Sequence, residues 1–395
     1  MKNIKFSKNS ISVKDIENVK KVINSGWLTH GKFTNLFEKE FSKYTNSKFC
    51  VTVSSCTAGL HISCIAAGFS KGDEVIVPSM THTATAHAVE YTGAKAIFAD
   101  VETISGNINI DYIKRKVTNK TKGIIVVHMA GLPCDMSQIE KFCKKKNITL
   151  LEDCAHGLGT KYHNKHVGNF GLSGSFSFYP TKQITTGEGG IIITNNKDFY
   201  NKVKKLKAFG IDTDVSERKV VGDYDVKSLG FNYRMTDFQA ALGYGQIIAY
   251  KKNLKKRINI AKRYIKNFSK IDKISFTPFS KNNSYFIFQI FCENRNKILN
   301  ELKKKNIGVS VHYMHPLPSM SFYRKKYKLN EKSYSNATQY ANTNISLPVY
   351  PTLKMTDVDY ISKTIINLID NKSWKKNLCL KNGLSKTKKL NFLSH

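Results

Sequence analysis

The chain predicts an α/β protein, with a large domain on a mostly parallel sheet over residues 13–250 and a smaller C-terminal α+β domain over 251–395. Three observations point there. Between residues 50 and 194, short β-branched runs alternate with helical stretches, the pattern of a parallel sheet covered on both faces. Residues 236–268 have the length and the Lys/Arg/Leu/Ala content of long helical structure bridging two domains. Beyond them, short apolar runs at 274–277, 285–291 and 309–313 interleave with a helical stretch at 295–305. A chain of 395 residues is long enough for two cores.

In order along the chain, residues 13–25 read as an amphipathic helix with Ile16, Val19, Val22 and Ile23 on its apolar face. Residues 1–12 are expected to pack on the small domain. Strands are expected at 51–53, 74–77, 96–98, 123–127, 148–151, 175–178 and 190–194, with helices at 57–67, 83–91 and 136–145. The polar, lysine-rich residues 377–395 read as a loose tail.

Hydrophobic residues make up 41% of the chain, enough for a globular core and too many for a disordered one. No apolar run approaches the ~20 residues a membrane span needs, and the N-terminus lacks an apolar signal core, so a cytoplasmic protein is expected. The eight cysteines are scattered without a Cys-x-x-Cys pair, which fits reduced thiols and predicts no metal site. Lys and Arg number 63 against 29 Asp and Glu, a formal +34. Such an excess suits nucleic acid, yet no helix-turn-helix, zinc-finger or RNA-binding aromatic motif accompanies it. A solvated basic surface, attractive to an anionic substrate, is the better reading.

The segment Ser175-Phe-Ser-Phe-Tyr-Pro-Thr-Lys-Gln-Ile-Thr-Thr-Gly-Glu-Gly-Gly190 sets Lys182 between an aromatic strand and a glycine-rich turn. Walled by Phe176, Phe178 and Tyr179, the amine would lose hydration and become a nucleophile near neutral pH. Upstream, the buried run Thr149-Leu-Leu-Glu-Asp153 ends in a carboxylate, with His156 one turn further on. Earlier still, Phe49-Cys-Val-Thr-Val-Ser-Ser-Cys-Thr-Ala-Gly-Leu60 reads as a strand turning into a helix. Its small residues let backbone N–H groups and the Thr57 hydroxyl reach an anion at the helix N-terminus. An anion cradle, an acid and an amine at successive strand ends are what pyridoxal phosphate requires.

These segments, with Ser25-Gly-Trp-Leu-Thr-His-Gly31 and Gly230-Phe-Asn-Tyr-Arg-Met-Thr-Asp237, resemble the DegT/DnrJ-type sugar-nucleotide aminotransferases. The resemblance runs nearly end to end, more loosely in the last third. It implies the fold-type I architecture, pyridoxal 5′-phosphate, a nucleotide-sugar substrate, glutamate as amino donor and a homodimer with shared active sites. It implies that Lys182 carries the cofactor, Asp153 faces its ring nitrogen and His156 its phenolic oxygen. Thr57, Ala58 and Ser177 would bind phosphate, and His82 would stack on the ring where relatives have an aromatic side chain. Asn232 would reach the phosphate of the partner's cofactor. Trp27, Thr29, His30, Arg234, His312 and Tyr313 are candidates for substrate contact. The product expected is an amino sugar, formed from a 4-keto-6-deoxy hexose for a surface glycan. A dehydratase of the same family remains an alternative, although that branch replaces the lysine with histidine. So does a basic regulatory or nucleic-acid-binding protein on an aminotransferase scaffold.

Overall fold

The computed structural model describes residues 3–212, 220 and 222–370; the expected tail at 377–395 lies outside the described residues. Helices α1 (Val13–Ser25) and α2 (Lys32–Thr45) precede β1 (Phe49–Val53) and α3 (Cys56–Ala66). Next come β2 (Glu74–Pro78), α4 (Thr83–Glu90), β3 (Lys95–Ala99), α5 (Ile110–Lys114), β4 (Thr121–Val127), α6 (Met136–Lys146) and β5 (Thr149–Asp153). A hairpin of β6 (Lys161–Tyr162) and β7 (Lys165–His166) leads to β8 (Ser173–Ser177), β9 (Gly190–Thr194) and α7 (Lys197–Leu206). Helix α8 (Asp237–Phe268) then crosses to β10 (Ser275–Phe276), β11 (Phe288–Phe291), α9 (Arg295–Lys304) and α10 (Ser321–Tyr327). The described chain closes with α11 (Ser335–Thr343), β12 (Asn344–Leu347) and α12 (Met355–Asp370).

The central sheet has the order β1-β9-β8-β5-β4-β2-β3. Its β2–β3, β2–β4, β4–β5 and β5–β8 pairs are parallel, while β9 runs antiparallel to both β8 and β1. Helices cover both faces, so strands such as β9 are buried throughout and need no polar alternation. Register then does the positioning. Asp153 pairs with Ser175, and Ser177 and Val53 both pair with Gly190, so the carboxyl ends of β5, β8 and β1 converge on one edge. That edge is where ligands sit in open parallel sheets. Gly190 permits the approach, because a Cβ there would lie 2.6 Å from the Cys56 backbone nitrogen at the start of α3.

Helix α8 runs unbroken past residue 250, packing Ala240, Ile247 and Tyr250 with the large-domain core and Ile260, Tyr264 and Phe268 with the small-domain core. Ile4 joins the latter core, and its backbone bonds Asn306 and Gly308. The small sheet orders β10-β11-β12, all antiparallel.

Two expectations are corrected. On α1 the face against the protein is Asp15, Asn18 and Val22, whereas Ile16 and Ile23 are 49% and 57% exposed. Ser12 and Asp15 form a capping box that ties the acid inward, and Gly245 on α8 has no Cβ to collide with the Asp15 carboxylate. Of the expected apolar face, Val22 therefore packs beside Asp15 and Asn18, while Ile16 and Ile23 face out. Residues 309–313 form no strand. Ser310 exchanges two backbone bonds with Ser346, after which the His312 N–H donates to Asn344 Oδ1 and its carbonyl accepts from Gln289, ending the ladder. The third strand is β12 instead.

Candidate active site

Lys182 lies in the connection from β8 to β9, which folds back on itself. The Phe178 carbonyl accepts from the Thr186 N–H and the Thr185 hydroxyl, and the Lys182 N–H donates to Tyr179. The aromatic wall is not the expected one. Phe176 and Phe178 turn into the core against Phe37 and Phe41, and Tyr179 is 48% exposed. The covering ring is Phe286, just before β11, with its centroid 4.6 Å from Lys182 Nζ. Strand alternation explains the error: Phe176 and Phe178 share a face, the one directed at α2. Burial pulls the amine down to about 8, against the opposing influence of Cys56 and Asp153.

Asp153 is buried at the end of β5. Its Oδ2 accepts from the Thr85 hydroxyl at 2.8 Å and its Oδ1 from the Ala155 N–H at 3.0 Å, with Cys56 Sγ at 4.0 Å. A carboxylate has about four acceptor positions, so capacity remains for a ring N–H. Beside it begins α3, capped by Ser55, whose Oγ accepts from the Ala58 N–H. The Cys56 and Thr57 N–H groups have no partner within the helix, and Thr57 is half-buried at the mouth. The Ala58 N–H is thus already engaged, narrowing the anion donors to its two predecessors and the Thr57 hydroxyl. Ser177 is half-buried at the end of β8, its Oγ 3.4 Å from the Tyr179 nitrogen.

His156 is buried, stacked on Phe286 at 4.4 Å and 18°. Desolvation, then the Lys182 charge, hold its pKa well below the usual value. His82 caps α4, its Nδ1 accepting from the Ala84 N–H, and its ring centre is 5.8 Å from Tyr313. Burial and Lys182 lower its pKa also. The Tyr313 hydroxyl is 3.4 Å from His156 Nε2, and His312 bonds Ser346 Oγ at 3.0 Å while desolvation lowers its pKa to about 3. These three histidines are therefore neutral near neutral pH.

Asn232 and the substrate-loop candidates form a second, exposed cluster. Arg234 Nε donates to Asn232 Oδ1 at 3.0 Å, and Arg234 Nη1 lies 3.1 Å from His30 Nε2. Thr29 bridges Thr236, and Trp27 is 58% exposed beside them. Sequence reading missed Phe286 and Thr85. Thr85 carries a local signal, three residues after His82 in the first turn of α4, but Phe286 carries none.

An amine that burial lowers to about 8, a buried carboxylate with acceptor capacity, and a helix N-terminus on one sheet edge fit a phosphorylated pyridine aldehyde. The family model for DegT/DnrJ/EryC1/StrS aminotransferases matches residues 9–366. The chain belongs to that family. It is 34% identical over 369 residues to GDP-perosamine synthase of Escherichia coli O157:H7, covering 92% of this chain and 98% of that protein. Its fold matches the putative sugar aminotransferase Spr1654 of Streptococcus pneumoniae in the PMP form, with TM-score 0.88, 29% identity and coverage of 93% and 99%. Helicobacter pylori PseC, an aminotransferase in pseudoaminic acid biosynthesis, matches at TM-score 0.87 and 28% identity, covering 93% of this chain and all of that one. The chain is a pyridoxal-phosphate-dependent sugar aminotransferase. No helix among the described residues is long and apolar enough to cross a membrane.

Proposed function

We propose that this enzyme transfers the amino group of glutamate to a nucleotide-linked 4-keto-6-deoxy hexose, giving an amino sugar for a surface glycan. The observation that carries the reading is the enclosed Lys182 amine, poised near 8 on the same sheet edge as Asp153 and the N-terminus of α3. The relationship to GDP-perosamine synthase supports the sugar class.

The cofactor, when bound, supplies the electron sink that makes the α-hydrogen of the amino donor acidic. Thr57, the first N–H groups of α3 and Ser177 hold its phosphate. Asp153, fixed by Thr85 and Ala155, keeps a proton on the ring nitrogen. Lys182 Nζ would serve as the general base that takes the proton from the donor's α-carbon. Phe286 and Tyr313 exclude water from that transfer. His156 would lie on the side of the cofactor's phenolic oxygen, and His82, at the start of α4, would cover its ring.

The exposed Ile16–Ile23 stripe, with Trp27 and Leu28 beyond it, is an apolar face suited to a second copy of the chain. Asn232 lies exposed, available to a neighbouring subunit's phosphate, with Arg234, Thr29 and His30 beside the sugar nucleotide. A panel of UDP-, GDP- and dTDP-linked keto sugars, assayed with glutamate and read by product mass, tests the reading. Turnover of a 4-keto-6-deoxy sugar is expected. Turnover confined to 3-keto sugars, or to a donor other than glutamate, would overturn it.

A further inference from the structure

Strand alternation sends Glu152 to the side of the sheet away from Asp153, where its carboxylate is fully buried. Oε1 accepts from the Phe170 and Gly171 N–H groups at 2.7 and 2.8 Å. Oε2 accepts from the Gly168 N–H at 2.7 Å and faces His128 Nε2 at 3.0 Å. His128 is equally buried, and its Nδ1 accepts from the Cys134 N–H at 3.2 Å. A ring that accepts at Nδ1 must carry its proton at Nε2, so His128 is the donor to Glu152. Burial raises the Glu152 pKa, but the His128 bond and the backbone donors more than reverse this, leaving it below the usual value.

His128, Glu152 and Cys154 offer ligand atoms within 4.8 Å of one another, the make-up of a metal site. The hydrogen bonds argue otherwise. Four donors saturate the carboxylate, and both imidazole nitrogens are engaged.

The consequence of this clamp lies on the other side of His128. The chain turns there through Met129–Gly131, with Met129 N–H on Asn107 Oδ1 at 2.9 Å and Gly131 N–H returning to the His128 carbonyl at 3.2 Å. Ala130 is left-handed, at φ 56°. Its N–H thereby meets His156 Nδ1, at 3.4 Å. With Nδ1 accepting, His156 carries its proton on Nε2, the atom 3.4 Å from the Tyr313 hydroxyl.

We propose that Glu152 and His128 are positioning residues which, through the 128–131 turn, hold His156 as its Nε2–H tautomer toward the cofactor. The proposal rests on the cofactor-side reading of His156. Neither Glu152 nor His128 touches the reacting atoms. The pair acts by directing the Ala130 N–H, much as outer partners fix the tautomer of a metal-bound histidine.

The test uses ¹⁵N-histidine-labelled apoprotein, in which imidazole nitrogen shifts report the His156 tautomer without cofactor. His128→Gln retains both functions, since its amide can accept from Cys134 and donate to Glu152; His128→Leu retains neither. Wild type and His128→Gln are expected to show His156 as a single Nε2–H form. His128→Leu, folded by circular dichroism, is expected to show mixed tautomers and cofactor affinity weakened by on the order of tenfold. An unchanged His156 spectrum in folded His128→Leu overturns the proposal. Should that variant not fold, replacing the Ala130 amide by an ester deletes only the N–H, and retention of the single tautomer there overturns it equally. Unchanged cofactor affinity in His156→Ala would instead refute the cofactor-side reading of His156, an outcome separable from the tautomer result.

Discussion

Replacing Phe286 should move the Lys182 amine in a direction set by what replaces it. The ring does two opposed things. It excludes water from the ammonium, and it offers that cation its π face at 4.6 Å. The amine is lowered from 10.5 to about 8, which corresponds to roughly 3 kcal/mol of bias against the charged form. For a desolvated ammonium a cation–π contact favours the charged form by about 2 kcal/mol, yet the amine still ends well below 10.5, so desolvation wins. Phe286→Leu keeps the apolar cover and loses the π face. Its midpoint should fall, by up to about 1.5 units. Phe286→Asn admits water and should raise the midpoint by about one unit or more. The rate at which apoprotein captures pyridoxal phosphate, followed by visible absorbance against pH, reads the neutral amine directly. Near neutral pH about a tenth of the wild-type amine is neutral, against about a hundredth once the midpoint rises by one unit. Thermal melts identify any variant that has lost its fold, since Phe286 is buried. A higher midpoint in the leucine variant, or an unmoved one in the asparagine variant, would show that Phe286 does not govern the lysine.

Lys182→Ala should abolish turnover and the borohydride-reducible link to the cofactor, and peptide mapping that finds the link on another lysine would refute this. Lys182→Met should make the apoprotein more stable, by up to about 3 kcal/mol in denaturant titrations below pH 8. There the folded and unfolded chains both carry the lysine proton, so the wild type bears the full burial penalty. Between about 8 and 10.5 only the unfolded chain keeps that proton, so the gap should close as pH rises; a pH-independent gap would contradict it. Asp153→Asn should retain cofactor yet slow turnover by about a hundredfold or more, because an amide cannot hold the ring-nitrogen proton as a carboxylate does; near-normal rates would mean another acid serves. Ile16→Glu with Ile23→Glu should yield monomers in light scattering, and a persisting dimer would place the interface elsewhere. Mixing Asn232→Ala with Lys182→Ala subunits should restore part of the activity, and no rescue in verified hybrids would exclude a shared site.

Much of this enzyme was legible in its sequence because the informative signals were local. Strand–helix alternation between residues 50 and 194 depends on backbone periodicity, and it predicted the parallel sheet. Chain order along that sheet then placed Thr57, Asp153 and Lys182 at neighbouring strand ends, since parallel strands present their carboxyl ends on one edge. What packing decided was invisible to a local reading. Phe286 covers the lysine from far along the chain, and the aromatic residues adjacent to it in sequence turn away into the core. The hydrophobic period of α1 was correctly read as helical, yet Gly245 and the Ser12–Asp15 cap turned Asp15 inward and left Ile16 and Ile23 facing out. Glu152, beside the acid that attracts notice, proved to be the buried clamp on the opposite face, engaged by four donors. Periodicity follows from one segment's backbone geometry, whereas the cover of an amine or the partners of a carboxylate depend on which distant segments pack against it.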